Sequence, residues 1–135
     1  MSKRTVFLCG PMRGIPRHEG IEWRERAISL LEQEFEVLHA YRGRKEKETF
    51  PDPRGAIVRD KQDIGRSDVL IVNDTFENAS MIGTAMEVFI ANSNGKAVIL
   101  FGDAHKNDYW LDAHAHMRVS TLEDACKVAV DLFAK

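Results

Sequence analysis

The chain has 135 residues, 44% hydrophobic and 30% charged, with a formal net charge of −2. That length suits one compact domain over residues 1–135, and the near-neutral balance excludes a polycation built for long DNA or RNA. Two cysteines, Cys9 in an apolar run and Cys126 in a helical pattern, give neither a disulfide framework nor a paired-cysteine zinc motif. The short apolar stretch after Met1-Ser2-Lys3-Arg4-Thr5 has neither a signal-peptide core nor the length of a membrane span, so the cytoplasm is the expected compartment.

In chain order, Thr5 to Cys9 reads as a buried parallel strand closed by Gly10-Pro11. Ile21 to Phe35 carries its apolar residues on one helical stripe, and Phe35 to Leu38 returns as a short strand. Tyr41 to Arg54 is polar, with Pro51 and Pro53 opposing regular structure, and forms the one long loop. A helix over Ala56–Arg66 leads into Asp68–Asn73, the strongest strand signal in the chain. A helix over Ser80–Asn92, a buried strand over Lys96–Gly102 and a last helix from about Thr121 to Phe133 complete the pattern. Ser120 or Thr121 caps that last helix, and Glu123 and Asp124 suit its amino-terminal dipole.

Alternating strands and helices with right-handed crossovers predict an α/β flavodoxin-like three-layer sandwich, a parallel sheet of four or five strands in the order 2-1-3-4(-5). Ligands of such sheets bind at the carboxyl ends of the strands where the winding reverses, so the loops after Cys9, Asn73 and Phe101 should surround one site.

Four groups of residues there carry chemical interest. The loop Cys9-Gly10-Pro11-Met12-Arg13-Gly14 joins two glycines, which permit close backbone approach, to an arginine whose fork suits phosphate or carboxylate oxygens. It has neither the lysine nor the hydroxyl residue of a Walker loop. In Ser80-Met81-Ile82-Gly83-Thr84-Ala85-Met86-Glu87, two hydroxyls and a helix start near Gly83 attract an anion, and Glu87 lies about one turn on, beside an apolar stretch that desolvates it. A lone glutamate in such a place is otherwise a helix cap or a solvated acid. Asp60 and Asp63 share a helix face ahead of the central strand, where each is alternatively a surface acid paired with Arg59, Lys61 or Arg66. Finally, His105, His114 and His116 lie near Asp103 and Asp112, a composition that admits a metal site, while Tyr109-Trp110-Leu111 suits the wall of an aromatic base or an interface.

The Gly10-Pro11-Met12-Arg13-Gly14 loop, the interval from Asp60 to Asp68 and the Gly83-Thr84-x-x-Glu87 element, in this order and spacing, resemble the nucleoside 2-deoxyribosyltransferase superfamily, which includes 2'-deoxynucleoside 5'-monophosphate N-hydrolases. The resemblance runs from about residue 5 to 101, and to the end of the chain if Met117 and its neighbours match the family's last segment. It implies that Glu87 is the nucleophile at the anomeric carbon of the sugar and that Asp60 holds the sugar or the glutamate and assists proton transfer to the departing base. The sugar then passes to a second base or to water. It further implies that Gly10, Arg13, Gly14 and Gly83 cradle a 5'-phosphate, with Phe7, Met12, Asp63, Ser80 and Thr84 lining the substrate. His114, His116 and Met117 would reach across to a neighbouring copy in a homo-oligomer with shared sites. The implied partner is a small nucleoside or nucleotide, with no cofactor, no metal, no nucleic-acid polymer and no membrane.

Two positions depart from the family's pattern. Phe7 stands where a tyrosine is frequent, leaving no hydroxyl there to orient Glu87, and Met81 stands where the hydrolase branch has a serine, with Ser80 one place earlier. Two further readings compete with the enzyme: a nucleotide-sensing module without catalysis, and a metal-dependent hydrolase using His114 and His116.

Overall fold

A computed structural model describes residues 2–41 and 53–134. Five strands, β1 (Arg4–Cys9), β2 (Phe35–His39), β3 (Val69–Asn73), β4 (Ala97–Phe101) and β5 (Met117–Val119), form one sheet in the order β2-β1-β3-β4-β5. Every pairing is parallel, with Cys9 opposite Val72 and Asn73 opposite Phe101. The helices are α1 (Arg17–Leu31), α2 (Pro53–Gly65), α3 (Ile82–Ser93), α4 (Tyr109–Ala113) and α5 (Leu122–Phe133). This is the flavodoxin-like α/β arrangement expected above, its fifth strand included.

The twofold alternation of the strands divides the core between two layers. Val6 and Leu8 of β1 face one way with Ile71 and Phe101, and are covered by Trp23, Ala27 and Leu31 of α1 and by Ala125, Cys126 and Ala129 of α5. Phe7 and Cys9 face the other way with Leu70, Val72 and Leu100, under Ile64 of α2, Val88 and Ala91 of α3 and Leu111 of α4. Thr121 caps α5, its side chain accepting from the amide of Asp124 as its type and position predicted.

The structure corrects several boundaries. Helix α1 begins at Arg17, one turn before Ile21, because the carbonyl of Pro16 accepts from the amides of Glu19 and Gly20. It ends at Leu31, and Phe35 belongs wholly to β2. Pro53 opens α2 instead of extending the loop, since a proline in the first helical turn lacks only an N–H that has no partner there. Tyr41, expected at the start of the polar loop, is buried, and residues 42–52 of that loop lie outside the described ones. The short α4 was not expected: five residues, Tyr109–Ala113, are too few to show a helical period, although Asp108 caps them through the amide of Leu111.

Candidate active site

The winding reverses between β1 and β3, so the crevice of this fold opens where Cys9 and Asn73 end their strands. The loop leaving β1 turns at Gly14, whose φ of +85° follows from a turn closed by the Ile15 amide on the Met12 carbonyl. Arg13 is exposed on this turn and Met12 half-buried. Gly10 is buried for a packing reason: a Cβ there would come within 2.9 Å of the Trp23 ring and 3.3 Å of the Asn73 side chain.

On the other side of the crevice α3 starts at Ile82, with Gly83 exposed in its first turn and Ser80 exposed just before it. Thr84 is buried and packs inward beside Val88. Glu87 sits on the flank of α3 that faces β1, where its Oε1 accepts from the Cys9 thiol, Sγ to oxygen 3.2 Å. Loss of water around the carboxyl is the main cause that lifts its pKa to about 7; the charge of Asp60 adds to the lift, while the Cys9 hydrogen bond and the charge of Arg24 oppose it. Burial, and then the neighbouring Glu87, push the Cys9 thiol well above its ordinary range, so Cys9 remains a protonated donor.

Asp60 approaches from α2, half-buried, with Arg59 Nε 4.0 Å from its Oδ1. Asp60 and Asp63 part company in space. Asp63 is buried nearer the end of α2, where Arg66 donates to its carboxylate at 3.3 Å and its carbonyl accepts from Ser67 Oγ. Since α2 runs from the carboxyl edge of the sheet toward the amino edge, Asp60 is the one closer to the crevice, and its charge is one that raises the Glu87 pKa. Phe7 is fully packed between α2 and α3 as a core residue.

Arg24 is the residue that the sequence reading missed. It is 1% exposed, donating from Nη1 to the Gly20 carbonyl at 2.8 Å and from Nη2 to the Gly10 carbonyl at 3.1 Å. Its guanidinium lies 4.5 Å from the Trp23 ring and 5.0 Å from the Tyr41 ring. Burial lowers its pKa, and it remains the buried cation that balances Glu87 and Asp60. A signal was present: Gly20, Arg24, Ala27 and Leu31 share one helical stripe, so an arginine at position 24 stands on the buried side.

The C-terminal residues lie elsewhere in the same protomer. His114 donates from Nδ1 to the Trp110 carbonyl at 2.7 Å, stacks on Trp110 and meets Phe89 edge-on with ring centres 5.1 Å apart. Phe89 and Glu87 are two positions apart on α3 and so lie on opposite flanks, which puts Trp110 and His114 away from the Glu87 side. His116 pairs with Val98 through both its backbone and its Nδ1, which accepts from the Val98 amide at 3.0 Å. With Met117 it lines a groove of about 560 Å³ at the amino edge of the sheet, together with Arg4, Asp68, Lys96 and Phe133. Among the described residues no three His, Cys, Asp or Glu side chains gather closely enough to hold a metal, so the pair His114 and His116 has no third ligand there.

The sequence matches no family model and, of the curated proteins, none. Solved structures do match. The 2-desoxiribosyltransferase from Leishmania mexicana superposes with a TM-score of 0.71 at 15% identity, over 96% of this chain and 99% of that one. The CMP N-glycosidase of Clostridium botulinum follows at 0.65 and 21% identity, over 96% and 99%. The molybdenum cofactor binding protein of the phototrophic bacterium Rippkaea orientalis gives 0.66 and 15% identity, over 99% of each chain. The fold is thus one that solved glycosyl-transferring and N-glycosidic enzymes share with a cofactor-binding protein. No described helix is long and apolar enough to cross a membrane.

Proposed function

We propose that this chain, acting as one domain, belongs with the nucleoside 2-deoxyribosyltransferase superfamily and cleaves the N-glycosidic bond of a 2'-deoxynucleoside or its 5'-monophosphate. The observation that carries the reading is the Glu87 carboxyl, held by Cys9 beside Asp60 at the end of β1 with its pKa lifted to about 7. A solvated helix acid is not lifted so far, and such a shift in a crevice is a mark of a working group.

In this mechanism the ionised Glu87 attacks the anomeric carbon, the C–N bond breaks, and its electron pair leaves with the base, which takes a proton by way of Asp60. The result is a glycosyl ester on Glu87. Attack on the same carbon by water or by a second base then frees the sugar product and regenerates the carboxylate. On this reading Arg13, exposed on the first loop, meets a 5'-phosphate, and Gly83, exposed in the first turn of α3, offers it a backbone amide. His116 and Met117, at the far edge of the sheet, serve such a pocket only in a second copy of the chain, which is the homo-oligomer this reading entails.

The deciding experiment is incubation with a panel of deoxynucleosides and their monophosphates, with and without an added second base, followed by chromatography. Free base or an exchanged nucleoside supports the proposal. Ligand that binds and is recovered unchanged supports instead a binding module, the role that the cofactor-binding neighbour gives weight to. Arg13→Ala should raise KM for monophosphates about tenfold and leave nucleosides nearly unaffected, a loss of one charge-assisted contact read by initial rates. Asp60→Asn should lower the base-release rate and also move the pH midpoint of Glu87 below 7, because Asp60 is one of the charges that hold it up.

A further inference from the structure

In a strand, residues two apart share a face, so Cys9 lies on the same side of β1 as Phe7 and one pleat nearer the carboxyl edge. Phe7 has no hydroxyl and is packed away among Ile64, Leu70 and Val88. Cys9 is buried as well, yet its Sγ lies 3.2 Å from Glu87 Oε1 and 3.9 Å from the Thr84 carbonyl, so its single proton has two acceptors, both on α3. We propose that the Cys9 thiol is the positioning donor of this site, turning Glu87 toward the anomeric carbon in the place of a hydroxyl at position 7. The role rests on the reading of Glu87 as nucleophile.

The chemistry of the thiol suits the task. A carboxylate accepts readily from a nearby donor, and a thiol is a weak one that draws little of its charge. Cys9 therefore fixes the carboxylate's direction while leaving most of its charge available. Once Oε1 is esterified it becomes a poorer acceptor, and the thiol proton has the Thr84 carbonyl to turn to. The other groups facing Glu87 are Asp60 from α2 and Arg24 from α1, and Arg24 is occupied with the carbonyls of Gly10 and Gly20. Cys9 approaches the carboxyl most directly, with Sγ 3.2 Å from Oε1.

The test combines kinetics with the infrared S–H stretching band. Cys126 is also a buried thiol, its pKa pushed up to about 12, so the Cys9 band is taken as the one missing from Cys9→Ala. That band is expected to shift to lower frequency as pH rises through about 7 and Glu87 ionises, and to stay still in Glu87→Gln. Cys9→Ala should lose roughly fivefold to tenfold in kcat with KM unchanged, the value of an ordinary hydrogen bond as suits a weak thiol donor, and the midpoint of its pH profile should move upward. Cys9→Ser, which keeps a donor, should restore the midpoint. An active protein whose S–H band ignores the titration, or whose Cys9→Ala variant keeps the wild-type midpoint and kcat, overturns the role of Cys9 alone. A protein that releases no base from the whole panel overturns the glycosidic reading and this role with it, even if the band still shifts.

Discussion

Glu87→Gln should abolish base release, by about three to five orders of magnitude in kcat, while making the protein more stable at pH 8. The first effect follows from removing the nucleophile: an amide nitrogen or oxygen in the same place cannot form the glycosyl ester, and only binding and proximity remain. The second follows from the cost of keeping this carboxyl charged against β1. Its folded pKa of about 7 lies above the ordinary value of 4.5, so the folded protein binds the proton more tightly than the unfolded one. The stability linked to this group is complete below about pH 4.5 and is lost as pH rises through about 7. At pH 8 the loss amounts to about 2–3 kcal/mol, with allowance for the side chain's partial contact with solvent. Glutamine has no such cost. Thermal unfolding should therefore give Glu87→Gln a Tm higher by about 5–10 °C at pH 8, and the gap should close near pH 4. Equal Tm values at both pH values would show that Glu87 is an ordinary exposed acid and remove the main support for its role.

The same shift sets the wild-type rate profile. Attack needs the carboxylate, so kcat/KM should climb with pH on a limb whose midpoint is about 7 in the free enzyme. A limb near 4.5 would mean that the reacting group is a solvated acid elsewhere.

How far the sequence revealed this molecule depends on the reach of each signal. The sheet order was legible because long apolar runs such as Val69 to Asn73 alternate with amphipathic helices, and right-handed crossovers then restrict the topology. Short elements were legible only in part: a fifth strand was expected without a position and α4 not at all, since β5 and α4 draw their stability from pairing with β4 and from Leu111 in the core, contacts that three and five residues cannot announce by period. Within the site, Glu87 and Asp60 were readable from motif spacing, but the divergence of Asp63 was not, since residues three apart on a helix share a face and only the burial of Asp63 and its bond from Arg66 near the end of α2 set it apart. Arg24 escaped because it was not singled out within its helix, and Cys9 because it was read only as a buried thiol. Their roles come from what the β1 loop and α3 bring against them.

Asp74, which no motif singled out, should be a costly loop position to change: Asp74→Ala is expected to destabilise the fold by about 3–5 kcal/mol and lower Tm by about 10–18 °C. It follows β3 directly and is fully buried. Its Oδ1 lies 2.6 Å from His105 Nδ1, and its Oδ2 accepts from the His105 amide at 3.0 Å and from Arg118 Nη1 at 2.7 Å. Arg118 also donates to the Gly102 carbonyl and, from Nη2, to Asp112 just before the end of α4. One carboxylate thus ties the loop after β4 and the start of β5 to the end of β3, and Gly102, with φ of +95°, lets the two backbones meet where a Cβ would come within 2.5 Å of the Asp74 carbonyl. Removing the carboxylate leaves the guanidinium partly buried with one counter-charge, Asp112, on its exposed side, so the loss exceeds that of the hydrogen bonds alone. The two ends of Arg118 provide the internal control. Asp112→Ala breaks an equally short pair, 2.6 Å, at a half-exposed carboxylate, and should cost under about 1 kcal/mol because water replaces what is lost. Asp74→Asn should fall between them, keeping an acceptor for Arg118 while giving up the charge. If Asp74→Ala and Asp112→Ala proved equally mild by thermal unfolding, burial would not be what gives the Asp74 cluster its weight, and the loop after β4 would be held by the packing of Leu111 alone.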